Sequence, residues 1–167
     1  ETDRLVNLIK ELSKDFPATE YDVVISSGEQ VSVGALSGLL NSSGIKSKSL
    51  LGWQVPIVTS SDHKSARIEA ISSEIVLKLL DDNNVVIIPG FQGISVDGRI
   101  TTLGRGGSDT SAVAIAASID ADFCDIYTDV DGVYTTDPNK VPNAKRLDKI
   151  SYEEMLEMAS LGAKVLQ

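Results

Sequence analysis

The chain has 167 residues, enough for one domain with a real core, and its 42% apolar content and mean hydropathy of +0.04 describe an ordinary globular sequence. A net charge of −9 and an isoelectric point near 4.5 weigh against nucleic-acid binding, because a duplex backbone demands a basic surface. One cysteine excludes an internal disulfide framework and fits a reducing cytoplasm, no apolar run reads as long enough to span a bilayer, and the polar opening Glu1-Thr2-Asp3-Arg4 is not a signal peptide.

Thr2 to Lys14 places apolar residues at Leu5, Val6, Leu8, Ile9 and Leu12, the spacing of an amphipathic helix with Thr2 or Asp3 as its cap. Thr19 to Ser43 is ambiguous, since Val23-Val24-Ile25 locally favours a strand within a longer stretch that can be helical. Lys46 and Lys48 alternate with serines and read as the solvent face of a strand. Strands are expected at Lys48 to Leu51 and Arg67 to Ile71, a helix from Ser73 to about Asp82, and a buried strand from Val85 to Ile88 that ends in Pro89-Gly90. Asp97-Gly98 signals a hairpin turn. Asp109 to Ala121, small and apolar on nearly every side, predicts a helix packed inside the domain, with Ser108 or Asp109 as N-cap. Asp125 to Pro138 reads as strand, polar loop, short strand and turn. Ser151 and Glu154 form a capping box that opens the last helix. Such alternation predicts an α/β fold, a mainly parallel sheet with helices on both faces.

Leu103-Gly104-Arg105-Gly106-Gly107-Ser108-Asp109-Thr110 sets a glycine turn, one cation and a Ser-Asp pair in succession before a helix. Glycines let backbone N–H groups approach a ligand, and the helix start adds partial positive charge, so the segment suits an anion. Composition alone also allows an ordinary glycine turn before a buried helix. Arg105 favours the anion reading, because a guanidinium between glycines has no apolar surface to lie on and its fork fits a carboxylate or phosphate. The loop led by Thr128 and Asp129 lies where an open α/β sheet places nucleotide contacts. Its Asp129-x-Asp131-Gly132 spacing lacks the glycine and glutamate positions of a calcium loop. His63, with no second His or Cys nearby, reads as a loop histidine rather than a metal ligand. Cys124 reads as a small buried filler and Trp53 as a packing residue.

LGRGGSDTSA, the TDVDGVYTTDP loop, Pro89-Gly90-Phe91-Gln92-Gly93, Ser26 to Ser32 and Ser151 to Leu166 together resemble the aspartokinases of the amino acid kinase family, in order and spacing, over essentially the whole chain. The resemblance implies a three-layer α-β-α sandwich, makes Glu20 to Asn41 one long helix bent near Gly28, and implies transfer of the γ-phosphoryl of ATP, carried with Mg2+, to the side-chain carboxylate of L-aspartate. It implies that Arg105 holds a carboxylate of aspartate with help from Ser108, that Glu29 receives the ammonium, and that the Phe91 backbone lines the pocket. Asp109 would lie near the transferring phosphate and Lys164 would meet the nucleotide phosphates. Thr128, Asp129, Tyr134 and the corner Asp137-Pro138-Asn139-Lys140 would surround the nucleotide, although Tyr134 reads equally well as a core strand residue. No metal site of the chain's own is implied, and the full enzyme would be a homo-oligomer in the cytoplasm.

Aspartokinases begin with a strand and a Lys-Phe-Gly-Gly-Thr-Ser segment that binds phosphates, and they end in paired ACT domains. Neither is in this sequence, so the expectation is a partial catalytic domain over residues 1–167, inactive alone. Two further readings stay open: a non-catalytic homologue that keeps the pocket as a sensor of amino acid or nucleotide, and a sister kinase acting on another acid.

Overall fold

A computed structural model of the chain describes residues 2–104, 106–128, 132–137 and 140–160. The chain divides into two compact units, residues 1–124 and 125–167.

The first unit opens with two helices. α1 (Thr2–Leu12) buries Leu5 and Ile9, one turn apart, while Leu8 and Leu12 of the expected apolar face stay exposed. Thr2 and Asp3, expected as its cap, both lie inside the helix. α2 (Ala18–Ser42) runs unbroken for 25 residues. The β-branched run Val23-Val24-Ile25 is thus helical: its preference is outweighed by a stripe at helical spacing, Asp22, Ile25, Ser26, Val33 and Ser37, all buried. The length and composition of α2 alone would admit a membrane span, contrary to the sequence expectation. Its buried stripe includes the polar Asp22, Ser26 and Ser37, however, and it packs on α1 and on strands of the fold, as the core helix of an α/β unit does.

The strands form two sheets. β1 (Ser47–Ser49) pairs in parallel with β4 (Val85–Ile87). Lys46 and Lys48 are exposed around the buried Ser47, as their alternation predicts. β4 departs from the expected buried strand, because Val85 at its start is 42% exposed. The second sheet has the order β3-β2-β5-β6, with β2 (Ile57–Thr59) parallel to β5 (Gln92–Ser95), and β3 (Ile68–Ile71) and β6 (Ile100–Thr102) antiparallel at the two edges. Sequence reasoning missed β2, whose Ile57 and Thr59 are wholly buried. α3 (Glu74–Asp81) precedes β4, and α4 (Gly107–Ser118) follows β6.

Two apolar clusters hold this unit. Leu50, Val55, Ile57 and Val76 are joined by Ile88 and by Ile115 and Ile119 from the α4 end of the chain. Leu5, Ile9 and Ile25 form the other, joined by Phe91. Each fully buried aliphatic side chain contributes about 1.5–3 kcal/mol. Val113 on α4 is 53% exposed, so that helix is not enclosed on every side as its composition suggested. Trp53 is 38% exposed rather than packed away.

The hairpin expected at Asp97-Gly98 joins β5 to β6, with Gly98 at φ +78°. Ser95 Oγ donates to Asp97 Oδ1 at 2.6 Å, and this bond, followed by that from the Asp97 backbone N–H, holds the Asp97 carboxyl below the usual aspartate range. A depressed folded-state value stabilises the fold above the unfolded value, and the contribution disappears as pH falls through the folded one. The gap in denaturation midpoint between the native chain and Asp97→Asn should therefore be open at neutral pH and close as pH drops below about 4, which a urea titration at several pH values checks.

Residues 123–128, which cross from the first unit into the second, form no strand, and Phe123 and Tyr127 are 86% and 94% exposed. A strand requires a ladder partner, and none pairs with this segment among the described residues. Cys124 is accordingly exposed rather than a buried filler. The 132–147 segment closes on itself through a bridge between Tyr134 and Arg146 and a 2.8 Å bond from Leu147 N–H to Val133 O. α5 (Tyr152–Ser160) starts with the expected capping box: Glu154 N–H donates to Ser151 Oγ at 3.2 Å, and Ser151 N–H donates to Glu154 Oε2 at 2.8 Å. The Ser151 backbone N–H, followed by the Ser151 hydroxyl, holds the Glu154 carboxyl below its ordinary range.

Candidate functional site

Three segments of the first unit meet around Phe91. The chain leaves β4 through Pro89-Gly90 and reaches Phe91 with φ +68°, a left-handed conformation that costs about 1–3 kcal/mol in a residue other than glycine. Its surroundings hold it there. The ring packs with Leu5, Ile9 and Ile25, the Phe91 N–H donates to Ser111 Oγ at 2.9 Å, and Leu103 N–H donates to Phe91 O at 2.9 Å. Ser111 is buried and passes its own proton to Gly107 O at 2.8 Å, so the turn is bolted to the first turn of α4. With its N–H engaged, the Phe91 backbone offers a ligand only the second lone pair of its carbonyl.

Close approach explains the glycines here. A Cβ on Gly107 would stand 2.8 Å from Leu103 Cβ and 3.2 Å from the Phe91 ring, and one on Gly90 would stand 3.0 Å from Ser108 Cα. α4 begins earlier than expected. Gly106, in the left-handed region at φ +69°, occupies the N-cap position, and no side chain caps the helix. Ser108 and Asp109 are therefore first-turn residues rather than caps, and the end of the helix keeps donor capacity for an anion. Ser108 is exposed and Asp109 half-buried.

Glu29 lies one turn beyond Ile25 on α2, and Ile25 shares a cluster with Phe91. The turn that carries Glu29 is fixed to β5 by a bond from Gln92 Nε2 to Ser26 O at 3.2 Å and one from Gln30 Nε2 to Gln92 Oε1 at 3.2 Å. Glu29 is half-buried, and its carboxylate makes no hydrogen bond or ion pair with any described residue. A partly desolvated carboxylate without a partner is a ready acceptor for an ammonium.

Arg105, Asp129, Pro138, Asn139 and Lys164 lie outside the described residues. Thr128, Tyr134, Asp137 and Lys140 belong to the second unit. Tyr134 is half-buried, and Lys140 Nζ lies 3.8 Å from Asp137 Oδ2 at an exposed corner. Among the described residues no group of three His, Cys, Asp or Glu side chains gathers as a metal cage would. A hollow of about 540 Å³ lined by Asn41, Lys46, Ser47, Lys48, Asp82 and Asn84 contains none of the expected site residues.

Sequence reasoning missed the buried polar groups behind these segments. Asp22, wholly buried on α2, accepts from His63 Nδ1 at 2.7 Å, Thr102 Oγ1 at 2.7 Å and the Lys64 N–H at 3.1 Å. His63 does sit in a loop, but it is engaged there rather than idle. A polar residue at a core position of the α2 stripe is the signal that would have found Asp22.

The amino acid kinase family model matches residues 1–167. The chain belongs to the amino acid kinase family. An aspartate kinase of Pseudomonas putida is 53% identical to this amino acid kinase chain over 167 residues, which is all of the chain and 41% of that protein. Escherichia coli aspartokinase III in complex with aspartate and ADP matches with a TM-score of 0.84 at 34% identity, over 99% of this chain and 38% of that one. Aspartate kinase from Synechocystis matches with a TM-score of 0.78 at 47% identity, over 99% of this chain and 27% of that one. The α/β fold is thus that of amino acid kinases, and the chain spans about two fifths of the length of the curated relatives it matches.

Proposed function

We propose that the chain is part of an aspartate kinase, which forms 4-phospho-L-aspartate and ADP from L-aspartate and ATP and opens lysine, threonine and methionine synthesis. The observation that carries the reading is the half-buried carboxylate of Glu29, without a partner among the described residues, one turn from the cluster that anchors Phe91 against the uncapped start of α4. A cation acceptor and an anion acceptor on adjoining segments suit a free amino acid. The 53% identity with the Pseudomonas putida aspartate kinase supports aspartate as that amino acid.

In this reading Glu29 takes the substrate ammonium, while Arg105 and Ser108 take a carboxylate. A β-carboxylate oxygen attacks the γ-phosphorus, the bond from that phosphorus to the β–γ bridging oxygen breaks, and ADP leaves. The attacking carboxylate is already ionised at neutral pH, so positioning and charge neutralisation carry the catalysis. Lys164 neutralises phosphate charge, and Asp109 suits a Mg2+ ion that arrives with ATP, since that ion binds through one or two carboxylates together with phosphates. Mg2+ would supply neutralisation of charge on the phosphates. Thr128, Asp129, Tyr134, Asp137, Pro138, Asn139 and Lys140 are assigned to the nucleotide. A cytoplasmic location and a homo-oligomeric complete enzyme belong to the same proposal.

Hydroxylamine trapping tests it. The complete protein that carries this chain, given ATP and Mg2+, is expected to yield a hydroxamate from L-aspartate and none from L-glutamate. A preference for glutamate would identify a sister kinase, and no hydroxamate from either would point to a sensor.

A further inference from the structure

We infer that Asp22 and His63 are positioning residues that set the spacing between the Glu29 helix and the glycine loop leading to Arg105, an inference that rests on the aspartate kinase reading for its catalytic consequence. Burying a carboxylate completely is costly unless its lone pairs are filled, and Asp22 has no exposed surface. All its partners are donors: the Thr102 hydroxyl to Oδ1 at 2.7 Å, the Lys64 N–H to Oδ1 at 3.2 Å and to Oδ2 at 3.1 Å, and His63 to Oδ2. A carboxylate only accepts, so the proton of this bond sits on His63 Nδ1, 2.7 Å away.

Asp22 and these partners come from three different segments. Asp22 is on α2, seven residues before Glu29, and seven residues are almost two full turns, so both lie on one stripe of that helix. Thr102 ends β6 and stands three residues before Arg105. His63 and Lys64 form the turn between β2 and β3, and that turn also touches the loop: Ala66 N–H donates to Thr102 O at 2.9 Å, and a Cβ on Gly104 would stand 3.0 Å from Lys64 O. Lys64 is held at φ +69°, with its ammonium 4.5 Å from the centre of the Tyr21 ring. An apolar residue at position 22 could fill the same space. It would not tie the two segments that carry the substrate's opposite charges to one atom pair.

The test compares His63→Ala with His63→Asn in the complete protein. An asparagine amide can place an N–H close to where Nδ1 stands, so it keeps the bond that alanine deletes. Loss of one hydrogen bond to a charged group is expected to raise the aspartate KM of His63→Ala about tenfold, while the ATP KM and kcat stay within about twofold and His63→Asn returns the aspartate KM to about threefold of the native value. Amide hydrogen exchange over Leu103 to Ser108 should be faster in His63→Ala and restored in His63→Asn. Unchanged exchange in His63→Ala, exchange that asparagine fails to restore, or kinetic constants that all shift together would overturn the inference. Exchange does not depend on the reaction, so failure of the native protein to phosphorylate aspartate would overturn the functional reading separately.

Discussion

Replacing Glu29 with alanine is expected to raise the KM for aspartate about 100-fold, on the basis of roughly 3 kcal/mol for removing the partner of a partly buried ammonium. The KM for ATP should stay within about twofold, because the lost contact is to the amino acid alone. Glu29 is the right place to look, since its carboxylate is half-buried and no described residue satisfies it. Glu29→Gln keeps the shape and an acceptor oxygen but loses the charge, so its KM should fall between the native and alanine values. Steady-state kinetics with each substrate varied in turn check this. A shift in the ATP constant matching that in the aspartate constant would remove Glu29 from the amino acid site.

Gly93→Ala is expected to destabilise the fold by about 3 kcal/mol or more, at the upper end for added volume in a packed interior. Gly93 lies in β5 between β2 and β6, and a Cβ there would stand 2.5 Å from Thr59 Cγ2 and 2.6 Å from the Ile57 carbonyl oxygen. The second contact is to backbone in the middle of a sheet, which cannot swing aside as the end of a side chain can. Glycines on α2 should behave in the opposite way. Gly34 and Gly38 have nothing within 4 Å of an added Cβ, so alanine at either should stabilise the helix by about 0.5–1 kcal/mol. Denaturant titrations of the three variants side by side measure both signs, and a neutral Gly93→Ala would show that the sheet yields at β2.

The features legible in the sequence were those written in neighbouring residues. The Asp97-Gly98 hairpin, the Ser151 and Glu154 capping box and the glycine turn into α4 are all local patterns, and the structure has each of them. The Val23-Val24-Ile25 run shows a local signal losing, since helical spacing over 25 residues outweighed three β-branched side chains. β2 was missed because it is three residues long and follows Pro56, and its partners β3 and β5 lie elsewhere in the chain. The Asp22 and His63 pair was illegible for the same reason, being 41 residues apart, so that a paired histidine resembled an idle one. The start of α4 was placed late because Gly106, Gly107 and Ser108 are all acceptable first residues in sequence, and only the left-handed backbone at Gly106 distinguishes them.

Ile88 packs against the cluster of Leu50, Val55, Ile57 and Val76, and Phe91, three residues later, packs against Leu5, Ile9 and Ile25. The turn from Ile88 to Phe91 therefore hangs like a short bridge with one pier in each core. Attempts to raise thermal tolerance by repacking either interior would move a pier, and with it the alignment of Phe91 against α4. Volume-conserving exchanges far from Ile88 and Phe91, or alanines on the open face of α2, are the routes to a hardier protein that leave the bridge where it stands.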